Sequence, residues 1–313
     1  MNKEAEFTSM GNKLIHHPNI VELLQHNRVS PISIQIAPTS RCQLNCCFCS
    51  NTNRDKQEEL EYIKLIDFLA DMKSLGAKTV EWTGGGDPSL YSNINQVIIA
   101  SGIAGFEQGF ITNGLGFDKI EKNALNFLKW IRISMNCLDY VEEVEIPELP
   151  KDTTLGFSYV INAKSTLKSM LKLKTHVKKY SPAYVRVVPD CQTTEEQQQK
   201  NNKLYVRWVE KWGEPFFYQA KIFEKPKLCY WGMVKPFLLH DEFVYRCSSV
   251  VLNNDAERSF HEKYRWCKME ELKDEYKTEI VPFKTNNCEH CVFTKQNDLV
   301  HEIINPSAMK NFI

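Results

Sequence analysis

Three cysteines close together constrain this chain more than any other feature of its sequence. Cys42, Cys46 and Cys49 follow a short alternating apolar segment and precede a helical pattern, with the spacing Cys-x3-Cys-x2-Cys. A loop of this kind can bring three thiolates to one small iron–sulfur cube, whose fourth iron then lacks a protein ligand. A structural zinc site or a chance group of thiols is the alternative, but zinc sites usually use Cys-x2-Cys pairs and four ligands. The spacing therefore favours an iron–sulfur cluster with one open iron.

Composition and charge agree with an enzyme. The chain has 313 residues and is 42% hydrophobic, which suffices for one large core and a smaller appendage. Lys plus Arg and Asp plus Glu both number 39, so no net field attracts nucleic acid or an anionic membrane. Neither a signal peptide nor a membrane span of about 18 apolar residues is evident. We expect a soluble cytoplasmic protein whose cysteines serve as metal ligands rather than in disulfides.

Strand and helix patterns alternate through the first two thirds of the chain. Strands are predicted at 32–36, 79–83, 109–112, 130–134, 155–161 and 184–188, and helices at 58–75, 93–101, 118–128, 165–179 and 194–212. Six βα units without internal repeats predict the α/β class, with a parallel sheet curled into a partial (β/α)6, TIM-like barrel. Ligands belong at the carboxyl ends of its strands.

Three expected domains follow from this pattern. Residues 1–30 are predicted to be a helical lead-in interrupted by Pro18, residues 31–213 the barrel, and residues 214–313 a small iron–sulfur domain.

Short polar motifs stand where the predicted strands end. They are Gly84-Gly85-Gly86-Asp87-Pro88 after strand two, Thr112-Asn113-Gly114 after strand three, Ser134-Met135-Asn136 on strand four, and Asn162 at the end of strand five. With the cysteine loop and its Phe48, these motifs resemble the radical S-adenosylmethionine (SAM) superfamily. The resemblance implies that a 4Fe–4S cluster on Cys42, Cys46 and Cys49 binds SAM through its open iron. It also implies that the reduced cluster cleaves SAM to methionine and a 5′-deoxyadenosyl radical.

The same resemblance assigns SAM contacts to residues at the strand ends. It implies that the glycine loop receives the amino group of SAM, with Asp87 in place of the usual Glu. A glycine turn without a ligand and a core role for Val188 are the alternatives. Asn136 stands where the superfamily more often has Asp. The predicted cofactor-binding residues are Phe48, Gly84, Gly85, Gly86, Asp87, Ser134, Asn162 and Val188.

Four later cysteines also have ligand-like spacing. Cys229, Cys247 and the pair Cys288-x2-Cys291 resemble the twitch domain, the shortened form of the SPASM domain, which implies a second, auxiliary 4Fe–4S cluster with four thiolate ligands. The chain departs from that family at Asp241-Glu242, where Gly is usual. A zinc site and unrelated thiols are the alternatives. Four other cysteines fall outside both sets. Cys47, Cys137 and Cys191 are predicted to be packed thiols, and Cys267 a free or buried thiol, with a substitute ligand as the alternative.

Charged residues inside apolar strands are the candidates for substrate contact. Burying Glu81, Arg132 and Arg186 is unfavourable unless each is paired. Either Glu81 forms a buried bridge with one of the arginines, or these residues contact the substrate. We predict all three as catalytic residues, without choosing an acid or a base among them.

The preferred function is a radical SAM oxidoreductase or isomerase. It abstracts hydrogen from a small polar substrate, such as an amino sugar, cyclitol or nucleoside, before an oxidation or rearrangement, with a flavodoxin or ferredoxin as electron donor. The alternatives are a maturase of a peptide, protein or nucleic acid, including modified DNA bases, and a non-catalytic zinc-binding module. The lysine-rich helix at 165–179 suits phosphates, but an outer helix of a barrel is usually only solvated, so nucleic acid is not favoured.

Overall fold

The computed structural model describes residues 3–8, 11–49, 51, 55–221, 224–248, 264–285, 288 and 291–309. The strands in this part of the chain are β1 (Ser33–Ile36), β2 (Thr79–Trp82), β3 (Glu107–Thr112), β4 (Leu128–Ser134), β5 (Thr154–Ile161), β6 (Tyr184–Pro189), β7 (Phe216–Tyr218), β8 (Phe237–Leu238), β9 (Phe243–Tyr245) and β10 (Arg265–Lys268). They form one sheet in the order β10-β9-β8-β1-β2-β3-β4-β5-β6-β7. Neighbours from β8 to β7 are parallel, whereas β9 pairs antiparallel with both β8 and β10.

Amphipathic helices cover the outer face of this sheet. The α-helices of the described residues are α1 (Lys3–Phe7), α2 (Pro18–Gln25), α3 (Tyr62–Ser74), α4 (Ile94–Ile103), α5 (Lys122–Leu125), α6 (Leu167–Tyr180), α7 (Glu195–Trp212) and α8 (Trp231–Val234), followed by helices at Leu272–Glu275 and Thr294–Ile304. On α3, Leu65, Leu69 and Met72 recur at helical spacing and are buried in the core. No helix within the described ranges is long and apolar enough to cross a bilayer.

The predicted parallel α/β sheet is confirmed. All six predicted strands are present within two residues of their expected bounds. The helix expected at 118–128 is reduced to α5 after a short 3-10 turn at Phe117–Lys119. Pro18 begins α2 rather than interrupting a helix. An N–H in the first turn of a helix has no intrahelical partner, so its absence in proline costs nothing there.

The sheet extends beyond the six predicted strands on both sides. β7 pairs with β6, and β8 pairs with β1 through Gln35 and Phe237. Residues after 213 therefore contribute strands to both sides of the barrel sheet. The domain boundary at residue 213 stays a prediction about folding units, and it is not a break in the sheet.

Side chains alternate between the outer face of the sheet and the barrel lumen. On β6, Val185 and Val187 are fully buried under the helices, while Arg186 between them points to the opposite side. Glu81 on β2 and Trp130 on β4 both pair with the same residue of β3, which lies between these strands. Arg132 on β4 and Tyr184 on β6 likewise both pair with one residue of β5. In a closed (β/α)8 barrel, inward residues of alternate strands share a layer, and each is shifted by two residues from the register partner of the one before. Arg132 and Arg186 are shifted in this way from Trp130 and Tyr184. Glu81, Arg132 and Arg186 thus belong to one layer of the lumen.

Aromatic rings close the amino-terminal end of the lumen. The ring of Phe7 on α1 stacks on Tyr184 with centroids 4.4 Å apart. Trp130 and Tyr184 each precede an arginine of the charged layer by two residues, so they lie one layer deeper. We call Phe7, Trp130 and Tyr184 the aromatic floor of the barrel.

Candidate functional site

The cysteine loop is tied down at its base. After β1, Thr39 and Ser40 are fully buried, and their hydroxyls donate to the carbonyl oxygen of Glu58 at 3.1 and 3.0 Å. The amide of Glu58 in turn donates to Ser40 Oγ at 2.9 Å. With the bridge between Thr39 and Glu59 and the bond from Leu60 N to Pro38 O, these bonds hold residues 58–60 outside the helix, so α3 begins at Tyr62. The ends of the cysteine loop are therefore fixed to the barrel independently of any metal.

The three thiols of the loop influence one another. Burial, followed by the neighbouring thiols of Cys49 and Cys42, raises the pKa of Cys46 to about 12. A bound cation would reverse this effect, because metal ligation deprotonates a thiol. Cys42 and Cys49 are partly buried, as expected for ligands near a loop surface.

The donor set of the cysteine loop is compatible with an iron–sulfur cluster. Among the described residues, no three His, Cys, Asp or Glu side chains are gathered closely enough to hold one metal ion. Thiolates of a four-iron cube bind different irons, so their sulfurs need not approach as closely as ligands of one ion do. Three thiols that influence one another in one loop are compatible with a cube that has one open iron.

Tyr140 secures the middle of the cysteine loop. Its hydroxyl accepts from the amide of Cys47 at 3.2 Å and donates to the carbonyl of Asn45 at 3.3 Å. The Cys47 thiol is exposed and donates to Asn162 Oδ1 at 3.4 Å. The expectation of a packed Cys47 is therefore wrong. Phe48 is partly buried in the same loop, and its contact with SAM stays a prediction.

The glycine loop after β2 packs against the cysteine loop. The amide of Gly86 donates to Thr39 O at 2.8 Å, and that of Asp87 donates to Arg41 O at 2.6 Å. A Cβ on Gly86 would lie only 1.9 Å from Arg41 O, so any side chain there would push the two loops apart. A Cβ on Gly85 would instead meet the ring of His240 at 2.6 Å. The backbone of the cysteine loop thus requires glycine at position 86, whereas glycine at position 85 leaves room for the His240 ring, whatever ligand the loop binds.

Asp87 joins the ends of β2 and β3. It is 3% exposed, and its carboxylate accepts from the amide and hydroxyl of Ser89 at 3.0 and 2.6 Å. The hydroxyl of Thr112, at 2.9 Å, and the amide of Asn113, at 2.6 Å, also donate to it. Burial raises its pKa against the opposing effect of these hydrogen bonds. With four donors on its two oxygens, Asp87 positions the loop.

Asn113 links β3 to the cysteines. Its side-chain amide donates to Gln43 Oε1 at 3.0 Å and to the Cys42 sulfur at 3.6 Å. The Thr112-Asn113-Gly114 motif indicates a loop at this place, but the sequence does not identify these partners. The carboxyl ends of β1, β2 and β3 thus meet around Cys42.

Asp139 gathers the polar residues at the ends of β4 and β5. Its carboxylate accepts from Tyr159 Oη at 2.8 Å, Asn136 Nδ2 at 3.1 Å and Asn162 Nδ2 at 3.0 Å. Asn136 also bonds both backbone groups of Val160, which accounts for an amide where the superfamily more often has Asp. Sequence reasoning missed Asp139, because it follows the strand in a 3-10 turn outside any motif.

Two further predicted SAM contacts lie at strand ends of the same barrel rim. Ser134 is the partly buried last residue of β4, and Val188 is 7% exposed on β6. Their contacts with SAM stay predictions.

Glu81 pairs with a residue that the sequence did not indicate. Lys235 Nζ donates to one carboxylate oxygen at 2.6 Å, and Gln35 Nε2 donates to the other at 2.9 Å. Burial alone would raise the pKa of Glu81, but Lys235, with help from Arg132, outweighs burial and lowers it. The expected bridge to Arg132 or Arg186 is replaced by this Glu81–Lys235 pair. Both oxygens of the carboxylate are therefore engaged, and neither arginine forms an ion pair with it.

The four later cysteines approach one another. Burial, then the thiols of Cys247, Cys288 and Cys291, raises the pKa of Cys229. A bridge between Cys229 and Phe283 holds the segment before the Cys-x2-Cys pair, with Phe283 N donating to Cys229 O at 2.9 Å. All four predicted ligands are thus neighbours, though the described part of the chain has no closely gathered single-ion set here either.

The other cysteines lie apart from this group. Cys267 is buried on β10, and the charges that raise its pKa after burial are Glu275 and Glu271 rather than other thiols. Cys137 is fully buried in the core and Cys191 is partly buried. These positions agree with packed thiols.

The lysine-rich helix is compensated by its neighbours. On α6, Lys168 and Lys172 pair with Glu142 at 3.3 and 3.0 Å, and Lys179 pairs with Glu143 at 2.6 Å. An ion-paired face offers phosphates less attraction than its lysine count suggests. This arrangement weighs against nucleic-acid binding there.

Comparison with known proteins agrees with this geometry. Residues 36–149, which run from the end of β1 past β4, match the family model described as the radical SAM superfamily. This part of the chain is similar to the radical SAM domain. A GTP 3′,8-cyclase of Chlorobaculum tepidum is 27% identical over 110 residues, or 34% of this chain and 33% of that protein. The chain thus matches about a third of the length of this curated relative.

Solved structures extend the likeness over most of the fold. SuiB of Streptococcus suis bound to S-adenosylmethionine is 14% identical, with a TM-score of 0.55 over 87% of this chain and 72% of SuiB. The structure of anSMEcpe with bound AdoMet and a Cp18Cys peptide is 12% identical, with a TM-score of 0.52 over 88% and 97% of the two chains. At these identities the likeness concerns the fold alone. The radical SAM family implies SAM and a 4Fe–4S cluster.

Proposed function

We propose that this chain is an enzyme that reductively cleaves SAM and abstracts hydrogen from a small polar substrate, such as an amino sugar, cyclitol or nucleoside. An oxidation or a rearrangement of the substrate follows. The observation that supports this proposal is the hydrogen-bonded junction of the Cys42–Cys49 loop with the ends of β2 and β3. When bound, a 4Fe–4S cluster with an open iron supplies the electron that converts SAM into a 5′-deoxyadenosyl radical.

The residues of the chain divide this work among themselves. Cys42, Cys46 and Cys49 would hold the cluster as thiolates. The backbone of Gly84 to Gly86 would face the amino group of SAM, with Asp87 holding that loop in place. The remaining SAM contacts that we propose are Phe48, Ser134, Asn162 and Val188. These groups orient SAM at the carboxyl ends of the strands, where ligands of such barrels bind.

We further propose that Cys229, Cys247, Cys288 and Cys291 hold an auxiliary 4Fe–4S cluster in a twitch-like domain. Four protein ligands leave no open iron, so direct binding of the substrate there is excluded. The remaining roles are to accept the electron left on a substrate radical or to brace a region with little core of its own. We favour electron acceptance, which makes the net reaction a two-electron oxidation. A flavodoxin or ferredoxin is the proposed donor to the first cluster, in the cytoplasm.

A peptide-modifying enzyme is the second candidate. SuiB has been solved with its precursor peptide SuiA, at a TM-score of 0.52 and 14% identity to this chain. The third candidate, a zinc-binding module, predicts zinc in both cysteine sets. Iron, sulfide and zinc content of anaerobically purified protein separates the third candidate from the other two.

The decisive experiment measures 5′-deoxyadenosine. The reconstituted chain, given dithionite and SAM, is expected to form it, and a screen of nucleosides, cyclitols, amino sugars and peptides should identify substrates that increase its formation. Replacing Cys42, Cys46 and Cys49 together by Ala should abolish the product, whereas Cys267→Ala should not. Reductive SAM cleavage by the triple variant would disprove the assignment of these thiols.

A further inference from the structure

Three cations meet inside the barrel lumen. Arg132 and Arg186 belong to the same layer of inward-facing side chains, and Lys221 follows β7, the strand next to β6. Arg186 Nε and Lys221 Nζ both donate to the same oxygen, Oε1 of Gln219, at 2.7 and 3.3 Å. One amide oxygen therefore lies between two cationic groups, and the third cation stands across β5 from them.

No carboxylate among the described residues forms an ion pair with this group, although Glu81 attracts Arg132 at longer range. Glu81 shares the layer, but its two oxygens are engaged by Lys235 and Gln35. None of the ion pairs formed by the described side chains includes Arg132, Arg186 or Lys221. The groups that favour the charged forms of these cations act more weakly than burial: Tyr184 raises the pKa of Arg186, and Cys191 and then Glu4 raise the pKa of both Arg186 and Lys221.

The arrangement is unfavourable for the protein alone. Burial, and then repulsion by Arg132, lowers the pKa of Arg186 to about 10. Burial, and then repulsion by Arg186, lowers the pKa of Lys221 to about 7. The corresponding layer of a (β/α)8 barrel is usually filled by Val, Ile or Leu, which carry no such penalty. Strongly perturbed pKa values cluster at functional sites, and buried like charges favour a ligand of opposite charge.

We propose that Arg132, Arg186 and Lys221 bind a dianionic phosphate monoester group of the substrate inside the barrel lumen. The proposal rests on the proposed function and names its substrate class, a phosphorylated small polar metabolite. Two guanidinium groups and one ammonium group carry between two and three positive charges. A dianion brings this group close to neutrality, whereas a single carboxylate would leave buried positive charge. The planar forks of two arginines also match phosphate oxygens in paired hydrogen bonds.

The position of the group fits hydrogen abstraction at the barrel rim. Arg132 precedes Ser134, a proposed SAM contact, by two residues of β4, or about 7 Å along the strand. The aromatic floor lies on the other side of the charged layer. A substrate held by its phosphate would therefore direct its opposite end, and the carbon that loses hydrogen, toward SAM.

The test compares two probes of different charge. Methyl phosphate and acetate are titrated calorimetrically at pH 7 and constant ionic strength into the reconstituted full-length chain. Methyl phosphate is expected to bind at least about tenfold more tightly than acetate. Arg186→Gln and Arg132→Gln are each expected to weaken it about tenfold to a hundredfold, because each removes hydrogen bonds to a charged group. Lys168→Gln, which removes a cation from outer helix α6, should leave the affinity unchanged.

Three results would overturn the proposal. The first is equal affinity of the parent for methyl phosphate and acetate, and the second is an unchanged methyl phosphate affinity in both arginine variants. The third is a loss of affinity in Lys168→Gln as large as that in the arginine variants. If an arginine variant does not fold, Lys221→Gln provides the same comparison at the edge of the group. The titration needs no SAM cleavage, so the two hypotheses fail separately. Phosphate binding without 5′-deoxyadenosine formation rejects the proposed function, and 5′-deoxyadenosine formation without phosphate preference rejects this site.

Discussion

Removing Lys235 tests how the buried charge in the barrel is balanced. The Lys235 side chain is 8% exposed and that of Glu81 is 18% exposed, and their polar atoms are 2.6 Å apart. Lys235→Met keeps most of the volume of the side chain and removes its charge and its hydrogen bond to Glu81. Glu81 then remains buried with Gln35 as its hydrogen-bond donor and Arg132 as the nearest positive influence.

The expected destabilisation follows from this geometry. Breaking a buried pair by removing one partner reduces the free energy of unfolding by about 3–5 kcal/mol. Because Gln35 and Arg132 remain, we expect the lower end, about 3 kcal/mol. An unfolding entropy of about 2.1 cal/mol/K per residue gives about 0.66 kcal/mol/K for 313 residues. The thermal midpoint should therefore fall by about 4–5 °C.

The effect also has a definite pH dependence. In the parent the pKa of Glu81 is lowered, so the stabilisation by the pair is present above the unfolded pKa and is lost as pH falls through the folded pKa. Without Lys235, burial favours the protonated acid, which removes the uncompensated charge at low pH. The difference between parent and variant should therefore be larger at pH 8 than at pH 5.

Circular dichroism of the metal-free chain during heating measures the fall in the thermal midpoint, and repeating it at pH 5 and pH 8 measures the pH dependence. The control is Lys168→Met on α6, where the pair with Glu142 is largely exposed and the midpoint should change by under about 1 °C. Combining Lys235→Met with Glu81→Gln should recover most of the loss. A variant as stable as the parent at pH 8, or a loss independent of pH, would refute this account of Glu81.

Two further predictions concern the loops and the later cysteines. Gly86→Ala places a Cβ against the backbone of the cysteine loop, so iron bound per chain should fall and stability should drop by about 1–3 kcal/mol. In Gly85→Ala the new Cβ meets only side chains, so the losses of iron and of stability should be smaller. Equal losses in the two variants would contradict the close approach of the two loops. Cys288→Ala with Cys291→Ala should remove about four irons per chain, whereas Cys267→Ala removes none. If it retains the first cluster, the double variant should form 5′-deoxyadenosine with substrate but little oxidised product, and a normal product yield would reject the electron-acceptor role.

The sequence predicted the six barrel strands because their signal is local. Alternation of apolar residues, as in Ser33–Ile36, depends only on which face of one strand is buried. β7 and β8 have three and two residues, too few for any alternation to be recognised. The prediction of one helix at 118–128 was wrong because the apolar residues of this segment are divided between a 3-10 turn and one short helix.

The site was predictable only where its chemistry is contiguous. The spacing of Cys42, Cys46 and Cys49 is visible in one short segment. The partner of Glu81 is 154 residues away, and a lysine before a proline carries no signal that it will enter a barrel. Asp139 and Lys221 were missed for the same reason. Their roles depend on which strands become neighbours, and periodicity does not encode that.

The pairing of β1 with β8 has a consequence for how the chain is made. Gln35 and Phe237 are partners, and 202 residues separate them in sequence. At about 5–20 residues per second, a ribosome needs about 10–40 s to supply β8 after β1 has emerged. During that time one edge of β1 is open next to the cysteines that follow it, and an open edge can pair with another chain. The yield of folded protein should therefore depend on translation speed and on early protection of that edge, before any metal is delivered.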